Sequence, residues 1–118
     1  MIKPEELQLG NFVLYKGHTR VIESINYNWF KINGPLQVKP HDCQGAPINP
    51  FMLRFFGFEE ISEGEFYKVA NGHTEVFVYK IGDYDYRIGK TGADIEIRYI
   101  HQLQNSYLLL TKVPLTAK

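Results

Sequence analysis

Asp94-Ile-Glu-Ile-Arg-Tyr-Ile-His-Gln-Leu-Gln-Asn-Ser-Tyr-Leu-Leu-Leu-Thr111 is the stretch whose reading decides the fold. It opens with period two: Ile95, Ile97 and Tyr99 share one side, and Asp94, Glu96 and Arg98 the other. It then changes to helical spacing, with Ile100, Leu103, Tyr107 and Leu110 three or four residues apart. A strand that runs into a helix has two apolar faces to cover, so the helix folds back on the sheet. The expectation is the closing element of a small α+β domain.

Upstream, the chain supplies the rest of that sheet. Glu65-Phe-Tyr-Lys-Val-Ala70 and Thr74-Glu-Val-Phe-Val-Tyr-Lys-Ile81 flank Asn71-Gly72. Asn-Gly between alternating runs is the strongest short hairpin signal, because both central residues of a type I′ turn need positive φ. Gly82-Asp83 marks a second turn into a strand over 84–88, and 89–92 a third turn into 95–99. The segment 59–64 reads as a polar connection. Ahead of it, Asn49 is suited to an N-cap, Pro50 to the first helical position, and Gly57 to a left-handed end. Ile48 and Leu53 stand at the spacing of a hydrophobic staple. This short helix is apolar on nearly every side except Arg54, which predicts burial between the two halves.

The first half reads as short strands at 12–16, 19–26, 29–32 and 36–38, with Val21 and Ile25 inward. Turns fall at Gly10-Asn11, Gly17-His18, Asn26-Tyr27-Asn28 and Asn33-Gly34-Pro35. Pro4-Glu5-Glu6-Leu7 can form one helical turn before them. This spacing predicts a small β-meander or SH3-like barrel. Residues 39–47 hold two prolines and a glycine among polar residues, and predict a linker without regular structure. The organisation expected is a small all-β N-terminal subdomain (1–40), a linker (41–47) and a subdomain of helix, four-stranded antiparallel meander and C-terminal helix (48–118). Past Pro114 the tail is expected to fray.

Composition narrows the function classes. Thirteen basic and thirteen acidic residues cancel, so the basic excess of a dedicated nucleic-acid binder is absent. A single cysteine excludes an internal disulfide and fits a reducing compartment. No apolar run approaches the roughly 18 residues of a membrane span, and residues 1–9 are too polar for a signal peptide. The expectation is a cytoplasmic protein that does not enter a membrane.

Chemistry-bearing patterns are sparse. His41-Asp42-Cys43 places metal-ligand types close together, but no second pair follows at zinc spacing. A Cys–His catalytic pair is an arrangement in space, so adjacency adds nothing. Asp83, Asp85, Asp94 and Glu96 form an acidic concentration, with Arg98 on the same strand face as the last two. Paired carboxylates do acid–base work only when geometry brings them close, and a solvated sheet face is the ordinary explanation. No glycine-rich phosphate loop is present. No catalytic residue, metal ligand or cofactor is therefore assigned.

Two groups remain as binding candidates. His101, Gln104 and Asn105 share a helical face, where neutral hydrogen-bonding groups suit a partner surface. The ordinary alternative places His101 at the strand–helix junction and leaves the amides solvated. Tyr27 and Trp29, near Tyr15 and Phe30, are aromatics of a kind that grips peptides, cations or unpaired bases. Their ordinary role is to fill a small barrel core.

Glu6-Leu-Gln-Leu-Gly-Asn-Phe-Val13, Leu53-Arg-Phe-Phe-Gly-Phe58 and Ile97-Arg-Tyr-Ile-His-Gln-Leu-Gln-Asn-Ser-Tyr107 carry a resemblance. They resemble a Leu-x-x-Gly-Asn-x-Val start, a central Phe-Gly-Phe and a Tyr-x-His-Gln-Leu-Gln-Asn-x-Tyr segment. These belong to a group of small uncharacterised proteins encoded in gut-bacterial genomes, phages and mobile elements. The chain departs from that pattern at Ser106, usually apolar, and at Lys112, where a glycine often ends the helix. The resemblance brings no catalytic residues. It implies an accessory of a phage or mobile element, and absent chemistry implies a non-enzymatic binding or interaction protein. Its partner is expected to be another protein, or a second copy paired through exposed strand edges. The alternative is a nucleic-acid-associated regulator whose N-terminal β-barrel presents Lys16, Arg20, Lys31 and Lys39 to phosphates, with binding that weakens steeply with salt.

Overall fold

The computed structural model describes residues 7–25, 30–32, 36–39, 42–70, 72–90 and 93–116. The fold is α+β, with two five-stranded antiparallel sheets and two helices among the described residues. The chain divides into two compact units. The first contains residues 1–46 with 99–101, and the second residues 47–98 with 102–118.

In the first unit, β1 (Phe12–Tyr15), β2 (His18–Ile25), β3 (Phe30–Ile32) and β4 (Leu36–Val38) form a meander. The entry turn explains the Leu-Gly-Asn start. Gly10 takes φ +84°, and the Asn11 side chain accepts a hydrogen bond from the Gln8 N–H at 2.7 Å. The β1–β2 turn is centred on Lys16-Gly17, both with positive φ, one residue ahead of the expected Gly17-His18. Inside β2 the inward residue is Ile22, not Val21 or Ile25, and Ile25 is exposed. Val13 pairs with Arg20, which sets the core-side phase on the even residues, and an irregularity between Ile22 and Ser24 shifts it afterwards.

A fifth strand, β5 (Cys43–Gly45), occupies the expected linker and pairs with β1 on the side away from β2. Prolines bracket it without entering it, so backbone pairing is retained. Cys43 thereby joins Leu7, Val13, Ile22, Ile32 and Val38 in the core, with Tyr15 packed against it. Beyond β5, the Ile100 N–H donates to the Ala46 carbonyl at 2.8 Å. A Cβ on Gly45 would overlap the Tyr99 ring, which is stacked on His101 at 9° between planes.

The second unit opens with α1 (Pro50–Phe55). Asn49 accepts from the Met52 N–H at 2.9 Å, with Pro50 next to it. Gly57 has φ +88°, its N–H donates to the Arg54 carbonyl, and the Phe58 N–H donates to the Leu53 carbonyl. This pair of bonds is a Schellman ending, and Phe58 is buried behind it. Burial of α1 is one-sided, contrary to expectation: Leu53 is enclosed, whereas Phe51 is 69% exposed and Phe55 is also exposed.

The sheet has the order β10-β9-β8-β7-β6. Its strands are β6 (Glu59–Ser62), β7 (Glu65–Ala70), β8 (Thr74–Lys80), β9 (Tyr86–Lys90) and β10 (Ala93–Ile97). β6 was expected as a loop. Every one of its side chains is exposed, so hydropathy gives no strand signal, and backbone pairing to β7 makes it one. Ala70 pairs with Thr74, so the β7–β8 loop spans three residues and exceeds the expected two-residue turn. Gly72 has φ +73°, and the Asn71 of that expectation lies outside the described residues.

Alternation sorts this sheet into two faces. Phe66, Val76, Val78, Tyr86, Ile88 and Ile97 are buried on one. The helix α2 (Ile100–Thr111) supplies Leu103 and Tyr107 to the core, and Lys68 from β7 reaches over the Tyr107 ring while donating to the Phe56 carbonyl. Gln102 receives the Arg98 N–H at 2.8 Å, which ties strand end to helix start. At its far end, Lys112 takes φ +63°, and Thr111 Oγ1 donates to the Tyr107 carbonyl. Leu115 is buried beyond Pro114, so the tail packs where fraying was expected. Among the described residues no helix is long and apolar enough to cross a membrane.

Candidate functional site

The expected sites fall out differently. Tyr27, Trp29 and His41 lie outside the described residues, as do residues 4–6 of the expected first helical turn. His101 is 1% exposed and Gln104 is buried, while Asn105 is half-buried. The first two are therefore held inside the protein and not displayed on an open polar face. The helical period explains Gln104, since Ile100, Gln104, Tyr107 and Thr111 fall on one buried stripe with Leu103, while His101 is stacked on Tyr99.

Cys43 is fully enclosed. Burial, and then the Asp42 carboxylate beside it, push its pKa from 9.0 to about 11, which disfavours the thiolate a nucleophile needs. Asp42 is engaged locally, accepting from the Lys39 N–H at 3.3 Å. Asp85 is matched by Arg98, whose Nε and Nη2 both lie 2.9 Å from one carboxylate oxygen. Glu96 faces Arg87 at 3.5 Å. Among the described residues, no group of three or more His, Cys, Asp and Glu side chains could hold a metal.

The second unit carries a different constellation, on the outer face of its sheet. Register builds it in rows. One row runs Glu59, Tyr67, Phe77, Gly89, Asp94 across all five strands. The next runs Ser62, Glu65, Tyr79, Arg87, Glu96. Val69 and Glu75 begin a third. The three aromatic rings touch: Tyr67 and Phe77 have centroids 5.4 Å apart, and Phe77 stacks on Tyr79 at 10° between planes. All three are half-buried, and Val69 beside them is 39% exposed. Phe77 stands opposite Gly89, where the missing side chain leaves room for a ring.

Around this aromatic centre the charges are one-sided. Among the described residues, Glu59, Glu65, Glu75, Asp94 and Glu96 are all exposed, against Arg87 and Arg98, which face Glu96 and Asp85. A shallow cleft of about 290 Å³ lies at one corner, lined by Gly57, Glu59, Tyr67, Lys68 and Val69. Sequence reasoning misses this face because the core is predicted from one parity of each strand only. The available signal was that β7 and β8 are apolar on both parities: Tyr67, Val69, Phe77 and Tyr79 alternate with Phe66, Val76 and Val78. Comparison with known proteins adds no relative: no family model, curated protein or solved structure matches this chain.

Proposed function

We propose that this is a non-enzymatic binding protein that works through protein–protein contact. Its assignment to a phage or mobile element follows from the sequence resemblance. The observation that supports the binding reading is the aromatic face of Tyr67, Phe77 and Tyr79 within exposed carboxylates. Aromatic side chains concentrate where protein surfaces meet, because they bury large area at small entropic cost. The elements of acid–base or nucleophilic chemistry are engaged elsewhere: Cys43 is enclosed, and Asp85 and Glu96 face arginines.

The test is capture from lysate of the natural host on immobilised protein, with and without nuclease. Wild type is compared with Tyr79→Ser, which makes the centre of the face polar. A protein recovered under both nuclease conditions, and lost with Tyr79→Ser, supports contact through this face. Recovery abolished by nuclease favours the nucleic-acid reading, with Lys16, Lys31 and Lys39 as phosphate contacts; Arg20 stands on the core-side phase of β2, opposite Val13. Recovery indifferent to both changes places the contact elsewhere on the molecule.

A further inference from the structure

We propose that the outer face of the second sheet takes a cationic, arginine- or lysine-bearing segment of a partner protein. This rests on the binding reading above and specifies the partner's chemistry. The face offers two things together. Its centre is a contiguous aromatic ladder, and ring faces attract cations held within about 6 Å. The protein already uses this contact internally, with Lys16 Nζ 5.4 Å from the Tyr15 ring centroid and Lys68 Nζ 5.9 Å from that of Tyr107. Among the described residues its rim supplies five carboxylates to two arginines, Arg87 and Arg98, although the whole chain is balanced at thirteen of each sign.

Charge also selects among occupants. A second copy laid face to face would set carboxylate against carboxylate, and a nucleic acid would bring phosphates to the same rim. A neutral apolar segment would satisfy the rings but leave the rim without counterions. A segment with cationic heads on long apolar stems satisfies both, with stems over the rings and heads at Glu59, Glu65, Glu75 and Asp94, Glu96 being already faced by Arg87.

The experiment titrates the full chain with a fluorescein-labelled oligo-arginine peptide, and with an oligo-glutamate peptide of equal length. The variant is Glu59→Gln/Glu65→Gln/Glu75→Gln, three exposed positions where an amide keeps the side-chain shape. Its control is Glu23→Gln, an exposed carboxylate on β2 of the first unit. Expected is oligo-arginine binding that weakens with salt, falls on the order of tenfold in the triple variant and is unchanged in the control. Amide shifts in the titration should cluster at Tyr67, Val69, Phe77 and Tyr79. No binding, equal binding to the triple variant, or shifts centred elsewhere would overturn the proposal. A photo-crosslinking residue in place of Tyr79, used in host lysate, separates this inference from the reading beneath it. A crosslinked partner whose contact segment lacks basic residues overturns the cationic assignment and leaves the interaction face standing. No crosslink at Tyr79, with capture from other positions, removes both.

Discussion

Gly45 shows how a single missing side chain fixes a local arrangement. The Tyr99 ring occupies the space a Cβ would need, and its stacking on His101 restricts its retreat. Gly45→Ala is therefore expected to cost about 1–3 kcal/mol, the usual range for overpacking. Urea denaturation measures it, and the loss should shrink when Tyr99→Ala is combined with it. Lys112 presents the opposite case. It holds φ +63° at a helix end where glycine is the usual occupant, and a side chain in that region carries strain. Lys112→Gly should stabilise by about 0.5–1 kcal/mol, read as a raised urea midpoint at unchanged slope. The expected site at Cys43 becomes a stability statement. Its folded pKa, about 11, lies above the 9.0 of the free thiol, so the unfolded state loses its proton first. The associated stability is fully present below pH 9 and is lost as pH rises towards 11. Tyr86 and Tyr107, also raised by burial, add to the loss in the same direction. The midpoint of wild type should thus fall more steeply over this window than that of Cys43→Ala, and the native thiol should resist iodoacetamide at pH 8.

Elements were legible in the sequence wherever local chemistry and burial agree. The ends of α1 were readable because Asn49, Pro50, Gly57 and Phe58 each act within one turn. Asn49→Ala should accordingly lower stability by about 1 kcal/mol, with Asn49→Ser nearly neutral, in the same denaturation assay. β7 stands where alternation placed it, and β4 directly after the turn signal at 33–35. β5 and β6 were hidden for different reasons. β5 lies between prolines and has three residues, too few for a period; its existence depends on β1, a partner some thirty residues earlier. β6 has four exposed side chains and is a strand only through pairing with β7. In β2, adjacent Val21 and Ile22 left both phases open, and the bulge before Ser24 is a property of pairing. The polar side of α2 was misread for a related reason: Gln104 and His101 are polar residues at buried positions, which hydropathy assigns to solvent.

At the scale of the whole molecule, the candidate face was the least legible feature. Its carboxylates come from β6, β7, β8 and β10, and its rings from β7 and β8, so only the register gathers them. Composition conceals it as well, because thirteen acidic and thirteen basic residues sum to zero. Assigning five acidic and two basic residues to the face leaves eight acidic and eleven basic for the rest of the chain. A neutral protein is thus an uneven one, with an acidic face and a basic remainder. Such a molecule attracts copies of itself head to tail at low ionic strength, and salt screens that attraction over about 10 Å at 0.1 M. Near its pI of about 6.9 no net repulsion opposes it. The second virial coefficient from light scattering at pH 7 should therefore rise as salt is added. It should rise less in Glu59→Gln/Glu65→Gln/Glu75→Gln, in which the face retains two carboxylates beside Arg87 and Arg98. A coefficient that falls with salt would instead assign the attraction to exposed apolar groups such as Phe51 and Leu109, whose association salt strengthens. The two signs are opposite, so one salt series separates a charge-patterned surface from an apolar one.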